Sequence, residues 1–239
     1  MKLFDRLFSE IQKELDLKAD KQYREKIRDH FKMDVSNFLG VRIPLVRKIG
    51  NKYFKDIRHL DIDQVFEFCD LLLETKIYEH KVIAFQWSFK YKNNYQEKHF
   101  KIFERWLKNY VDDWSDCDDL CTHSLGYFIY TYPKFIPKVI KWAASKNRWL
   151  RRASAVSLIY SLREGKHLDS AFEVASKLLL DPDDLVQKGY GWMLKEGTRN
   201  YQQEVFEFVM EHKDRMPRTA LRYAIEKLPA SYKKQAMNK

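Results

Sequence analysis

The chain offers little punctuation for anything but helices. Its 239 residues include only 7 glycines and 6 prolines, too few for the many tight turns of an all-β fold. Apolar residues recur at helical intervals: Trp149, Ala153, Val156 and Tyr160 follow the i, i+4, i+7, i+11 spacing of one face. Leu178, Leu185 and Trp192 fit within their own segments, although residues 168–180 are too apolar all round to show a clean stripe. Asp61 and Asp63 precede the apolar run Val65–Leu73 as N-terminal caps do. Pro133, Pro137, Pro217 and Pro229 fall near breaks; a proline is tolerated in a first helical turn because that N–H has no helical partner.

The breaks recur. Helices are expected to begin near Glu79, Trp114, Leu150, Leu185 and Arg218, spaced by 33–36 residues, each followed by a shorter helix. Helix pairs repeating on this scale predict an all-α solenoid, a curved superhelix with one concave wall; the alternative is an irregular bundle. No linker interrupts the pattern, so residues 1–239 read as one domain. A hydrophobic content of 45% excludes a disordered chain. No apolar run reaches the ~18 residues of a spanning helix, and Met1-Lys2-Leu3-Phe4-Asp5-Arg6 lacks the apolar stretch of a signal peptide. Three cysteines, Cys69, Cys117 and Cys121, fit a reducing cytoplasm.

Charge is unevenly placed. The 44 Lys+Arg against 34 Asp+Glu give +10. Residues 1–130 hold 23 and 22, a balance of +1; residues 131–239 hold 21 and 12, a balance of +9. Such a surplus marks either a polyanion-binding face or a solubilising helical surface.

Three stretches carry candidate chemistry. Asp112-Asp113-Trp114-Ser115-Asp116-Cys117-Asp118-Asp119 packs five carboxylates into eight residues. Asp112 and Asp113 suit a helix start, while Trp114 and Asp118, four apart, share a face. A carboxylate beside an indole would stabilise a cationic sugar transition state; a core tryptophan with a capping aspartate is the plainer reading. In Asn147-Arg148-Trp149-Leu150-Arg151-Arg152-Ala153, three arginines oppose the helix macrodipole, which an external phosphate would reverse. Arg218 and Arg222 open another helix in the same way, as do Arg42 and Arg47 and, more weakly, Lys188. The alternative is that these cations pair with scattered carboxylates or lie across neighbouring helices. In Val186-Gln187-Lys188-Gly189-Tyr190-Gly191-Trp192, two helical glycines serve close packing or make room for a ligand beside Trp192. Cys117, Cys121 and His123 crowd one helical segment and do not match zinc-ligand spacing, and no phosphate-binding glycine loop or nucleophile elbow occurs.

Taken in order, the motifs resemble the AlkD-type DNA alkylation repair glycosylases, built of HEAT-like helical repeats. Phe38-Leu39-Gly40 with Pro44 matches that family's FLG-x-x-x-P turn, and Trp114-x-x-x-Asp118 its central tryptophan–aspartate motif. Trp149-Leu150-Arg151-Arg152-Ala153 matches WL-x-R-A, and Gln187-Lys188-x-x-Gly191-Trp192 matches QK-x-x-GW. The resemblance covers the chain from about Phe38 to Lys227. It implies hydrolysis of the N-glycosidic bond of cationic N3- and N7-alkylated purines in duplex DNA without base flipping. No residue stands out as a Schiff-base lysine, so no lyase activity is expected; no metal or cofactor is needed, and the chain is expected to act as a monomer. By the same resemblance Asp118 is the catalytic carboxylate, Trp114 and Trp192 flank the lesion's deoxyribose, and Arg152 contacts the backbone. Arg148, Arg151, Lys188, Arg218, Arg222, Arg42 and Arg47 are the further DNA-binding candidates. The chain departs from the pattern at Arg42, where glutamine is expected, and in a longer loop Lys32–Asn37. A non-catalytic binder of damaged or branched DNA, or a protein-interaction scaffold, are the other readings.

Overall fold

A computed structural model describes residues 3–31 and 35–238; residues 32–34 of the loop Lys32–Asn37 lie outside it. Among the described residues all regular structure is helical. Two compact units divide the chain at Gln96/Glu97.

The first unit holds α1 (Leu3–Lys18), α2 (Lys21–Phe31), α3 (Ile43–Ile57), α4 (Ile62–Glu74) and α5 (Tyr78–Lys90). Asp61 caps α4 as expected, in a reciprocal box: its side chain accepts from Gln64 N, and Gln64 Oε1 accepts from Asp61 N. Asp63 lies inside the first turn, where its charge favours the helix dipole. The apolar residues Val65, Phe66, Phe68, Cys69, Leu72 and Leu73 then fall on a buried face.

The FLG turn has a structural cause. The backbone N–H groups of Leu39, Gly40 and Val41 donate to the buried Glu79 carboxylate at 3.0, 2.9 and 2.9 Å. Gly40 has φ +95°, and a Cβ there would meet Asp20 O at 2.6 Å, so only glycine fits. Burial raises the Glu79 carboxyl, and the three N–H groups oppose it. Next to it, fully buried His80 is held neutral: burial lowers its pKa to about 4.

The second unit runs α6 (Phe100–Asn109), α7 (Trp114–Leu120), α8 (Gly126–Thr131), α9 (Ile136–Lys141), α10 (Arg148–Val156), α11 (Ile159–Arg163), α12 (Leu168–Leu178), α13 (Asp184–Gly197), α14 (Gln202–His212), α15 (Arg218–Ala224) and α16 (Ala230–Met237). Helices α5, α7, α10, α13 and α15 begin within two residues of the expected starts. Within this unit α10 packs on α7 and α13, and α13 packs on α15, while α12 lies behind α10 and α13. This is the helical-repeat arrangement that the spacing predicts.

The expected alternation of long and short helices does not hold throughout. α15 has 7 residues and the following α16 has 8. The stripe from Trp149 to Tyr160 is also broken. Leu158 N bonds Ala155 O, a tighter three-residue step that ends α10 and sets Tyr160 on α11. Ala153 and Val156 are fully buried as the pattern requires, whereas Trp149 and Tyr160 are half-buried.

Candidate active site

The acidic stretch splits its labour. Asp113 caps α7, its Oδ1 accepting from Ser115 N at 2.8 Å and Ser115 Oγ at 2.5 Å. Trp114 is therefore the first residue of α7 and is 39% exposed. Asp118 follows one turn later, and a π-helical turn, Cys121–Leu125, comes directly after α7. Such widened turns are frequent at functional sites. Thr122 Oγ1 donates to the Asp118 carbonyl at 2.7 Å at this junction. Cys117 and Cys121 are free and buried, and burial pushes the Cys117 thiol up. His123 is exposed and lies 3.2 Å from an Asp119 carboxylate oxygen.

Asp118 meets Arg152. Arg152 Nε donates to Asp118 Oδ1 at 2.9 Å and Nη2 to Oδ2 at 2.8 Å, a bidentate fork. Its third nitrogen donates to the Leu185 carbonyl at the start of α13. Gly189 makes this possible: a Cβ there would sit 3.2 Å from Arg152 Cγ and 3.4 Å from Nη1. Three helices, α7, α10 and α13, thus converge on one guanidinium. The Arg152 side chain is 6% exposed and that of Asp118 is 17% exposed, so the carboxylate is the open partner. Burial pushes the Asp118 carboxyl above its ordinary value, and the guanidinium pulls it part of the way back.

The other expected cations divide into paired and open ones. Asn147 caps α10, its Oδ1 accepting from Trp149 N at 2.8 Å. Arg148 reaches Asp183 at 2.7 Å and remains exposed. Arg151 reaches Asp181 at 2.6 Å and also donates to the Ser145 and Lys146 carbonyls at 3.0 and 3.2 Å. Lys188 pairs with Asp184 at 2.9 Å. Arg218 and Arg222 are exposed on α15, with no ion pair to a described residue. In the first unit, Arg42 precedes α3, 3.7 Å from an Asp20 oxygen and 4.4 Å over the Tyr23 ring, and Arg47 is half-buried on α3.

Trp192 sits half-buried on α13, one turn beyond Gly189. Gly191 serves packing: a Cβ there would meet Tyr223 Cβ at 2.7 Å and Ala220 O at 2.8 Å, so α13 and α15 touch backbone to backbone. The partners that sequence reasoning missed, Asp181, Asp183 and Glu196, stand 30, 35 and 33 residues after the arginines they hold. Offsets of 30–35 residues, close to the repeat length, separate the pairs. Scanning the sequence for opposite charges at that offset would have found them.

In this helical repeat a carboxylate with 17% of its surface exposed lies on a buried arginine, with one indole on the same helix, α7, and another on α13. The chain belongs to the DNA alkylation repair enzyme family, whose model matches residues 11–228. A solved structure described as a predicted DNA alkylation repair enzyme from Enterococcus faecalis shares the fold, with a TM-score of 0.77 at 15% identity over 89% of this chain and 98% of that one. No curated protein matches the chain. The family gives the chain a role in DNA repair as an enzyme. Among the described residues no helix is long and apolar enough to cross a membrane.

Proposed function

We propose that the protein is a monofunctional DNA glycosylase that releases cationic N3- and N7-alkylated purines from duplex DNA. Asp118 is its catalytic carboxylate, and Trp114 and Trp192 flank the sugar. The observation that carries this reading is the Asp118–Arg152 fork: a carboxylate oriented on two bonds and left part-exposed one turn from an exposed indole.

The chemistry needs little else. An alkylated N3 or N7 already carries positive charge, so the base leaves with the bonding electron pair and no strong acid is required. The bond from C1′ to the purine nitrogen breaks and an oxocarbenium-like sugar forms. Asp118 stabilises that charge electrostatically and orients the water that attacks C1′, whose proton passes to the carboxylate and on to solvent. Each carboxylate oxygen keeps an acceptor site beyond its bond to Arg152. The indole faces add cation–π attraction of about 0.5–2 kcal/mol. Arg152 serves the carboxylate, and the phosphates fall to the exposed Arg148, Arg218 and Arg222, with Lys188. Arg42 and Arg47 are the candidates in the first unit. The proposal extends to a cytoplasmic monomer that needs no cofactor and does not extrude the base.

Incubation of methylated duplex DNA with the protein tests this. Release of 7-methylguanine and 3-methyladenine is expected, and release of neither would defeat the enzymatic reading. A second reading, a non-catalytic binder of damaged DNA, draws on one observation: both Asp118 oxygens already hold Arg152. It requires salt-dependent binding without base release.

A further inference from the structure

A second carboxylate stands beside Trp192 of the proposed site. Glu196 lies one turn after Trp192 on α13, and its side chain is 4% exposed. Its Oε2 takes Arg163 Nε at 2.8 Å and Arg199 Nε at 2.9 Å. Its Oε1 takes Lys227 Nζ at 3.3 Å and the Trp192 indole Nε1–H at 3.4 Å. Three cations from three segments pin the carboxylate, and the indole hangs from it by the only donor its ring has.

We propose that Glu196 is a positioning residue: its pinned carboxylate fixes the Trp192 indole in the orientation that the glycosylase reaction uses. The inference rests on the glycosylase reading for its kinetic consequence alone; the anchoring itself is a property of the folded protein. Two physical effects follow from the geometry. First, a half-buried indole without its N–H partner turns about its side-chain torsions, and holding it in one rotamer removes that freedom before substrate arrives. Second, an anionic acceptor on the indole N–H raises the electron density of the ring face, which strengthens its attraction for a developing cation. The carboxylate also answers three positive charges that would otherwise repel that cation from nearby. Burial works against the anion, and Arg163, Lys227 and Arg199 overcome it, holding the Glu196 carboxyl below its ordinary value.

The test combines kinetics with the indole proton itself, on the full chain. Single-turnover release of 7-methylguanine is measured for wild type, Glu196→Gln, Trp192→Phe and the double variant. Glu196→Gln is expected to slow the chemical step about tenfold and to change the apparent KM less than about twofold. In the Trp192→Phe background it is expected to add nothing, because both changes break one interaction. In ¹⁵N-labelled protein, the Trp192 indole resonance, identified by its loss in Trp192→Phe, is expected to exchange with water more slowly than that of a free tryptophan derivative and to move upfield in Glu196→Gln. Unchanged kinetics in Glu196→Gln, losses that multiply in the double variant, or fast exchange would each overturn the proposal. Should Glu196→Gln fail to fold, indole exchange in the wild type decides. Should the wild type release no base, the glycosylase reading falls while the exchange rate still reports whether Glu196 holds Trp192.

Discussion

Asp118 and Arg152 face each other across 34 residues, joined by two parallel bonds of 2.9 and 2.8 Å. The pair links α7 to α10, and through the Leu185 carbonyl it reaches α13. It is a packing element and a candidate reaction centre at once.

Removing one member of a buried pair leaves an uncompensated charge, at about 3–5 kcal/mol. Arg152→Met is therefore expected to lower the unfolding free energy by about 3 kcal/mol. Arg152→Lys is expected to rescue little, because an ammonium cannot reproduce the fork. Urea denaturation of the three proteins checks both statements.

The same pair sets a pH dependence. Burial raises the Asp118 carboxyl, so the ionised form is lost as pH falls, beginning above the ordinary aspartate range. The acid limb of kcat/KM for base release is expected there. Arg152 opposes the rise, so in Arg152→Gln the limb moves to still higher pH. A limb that stays in place in that variant would show that the charge of Arg152 does not act on Asp118.

The arginines separate by their partners. Replacing Arg218 and Arg222 together with Gln is expected to reduce the slope of log K against log salt by about 2, since each phosphate contact contributes about 0.9. Their exposure means that the unfolding midpoint stays put. Arg151, at 17% exposure and held by Asp181 and two carbonyls, is expected to behave oppositely: Arg151→Gln lowers stability and leaves the slope unchanged. Salt-dependent DNA binding, paired with denaturation, distinguishes the two groups.

Helix starts were legible in the sequence because caps and prolines act locally: Asp61, Asp113 and Asn147 each cap the helix that follows. The candidate residues Trp114, Asp118, Arg152 and Trp192 were singled out by resemblance. Their partners were not, since a bond such as Arg148 to Asp183 depends on how one repeat stacks on the next. The family resemblance placed Arg152 on the DNA backbone, and pairing with a carboxylate was the alternative for the arginines of this stretch. Stacking brings it a carboxylate, Asp118, from the preceding repeat. The two glycines of α13 also divide only in three dimensions, Gly189 making room for Arg152 and Gly191 for α15.

His80 gives a stability signature independent of function. Its folded pKa is lowered by burial to about 4 from 6.5. Between these values the unfolded chain binds the proton and the folded chain does not, so stability is complete above pH 6.5 and falls as pH drops toward 4. The loss amounts to about 3 kcal/mol at most. Unfolding free energies measured across this range in wild type and His80→Asn are expected to converge at low pH. Parallel curves would contradict the assignment.

The catalytic role of the Asp118 carboxylate is decided by single-turnover release of 7-methylguanine from a methylated duplex by wild type and Asp118→Asn, with folding checked by circular dichroism. Asparagine keeps an acceptor for Arg152 but loses the negative charge. The folded variant is expected to bind DNA and to release base at least about a hundredfold more slowly, the scale on which removing one stabilising group acts. Equal rates for the two proteins would contradict that role.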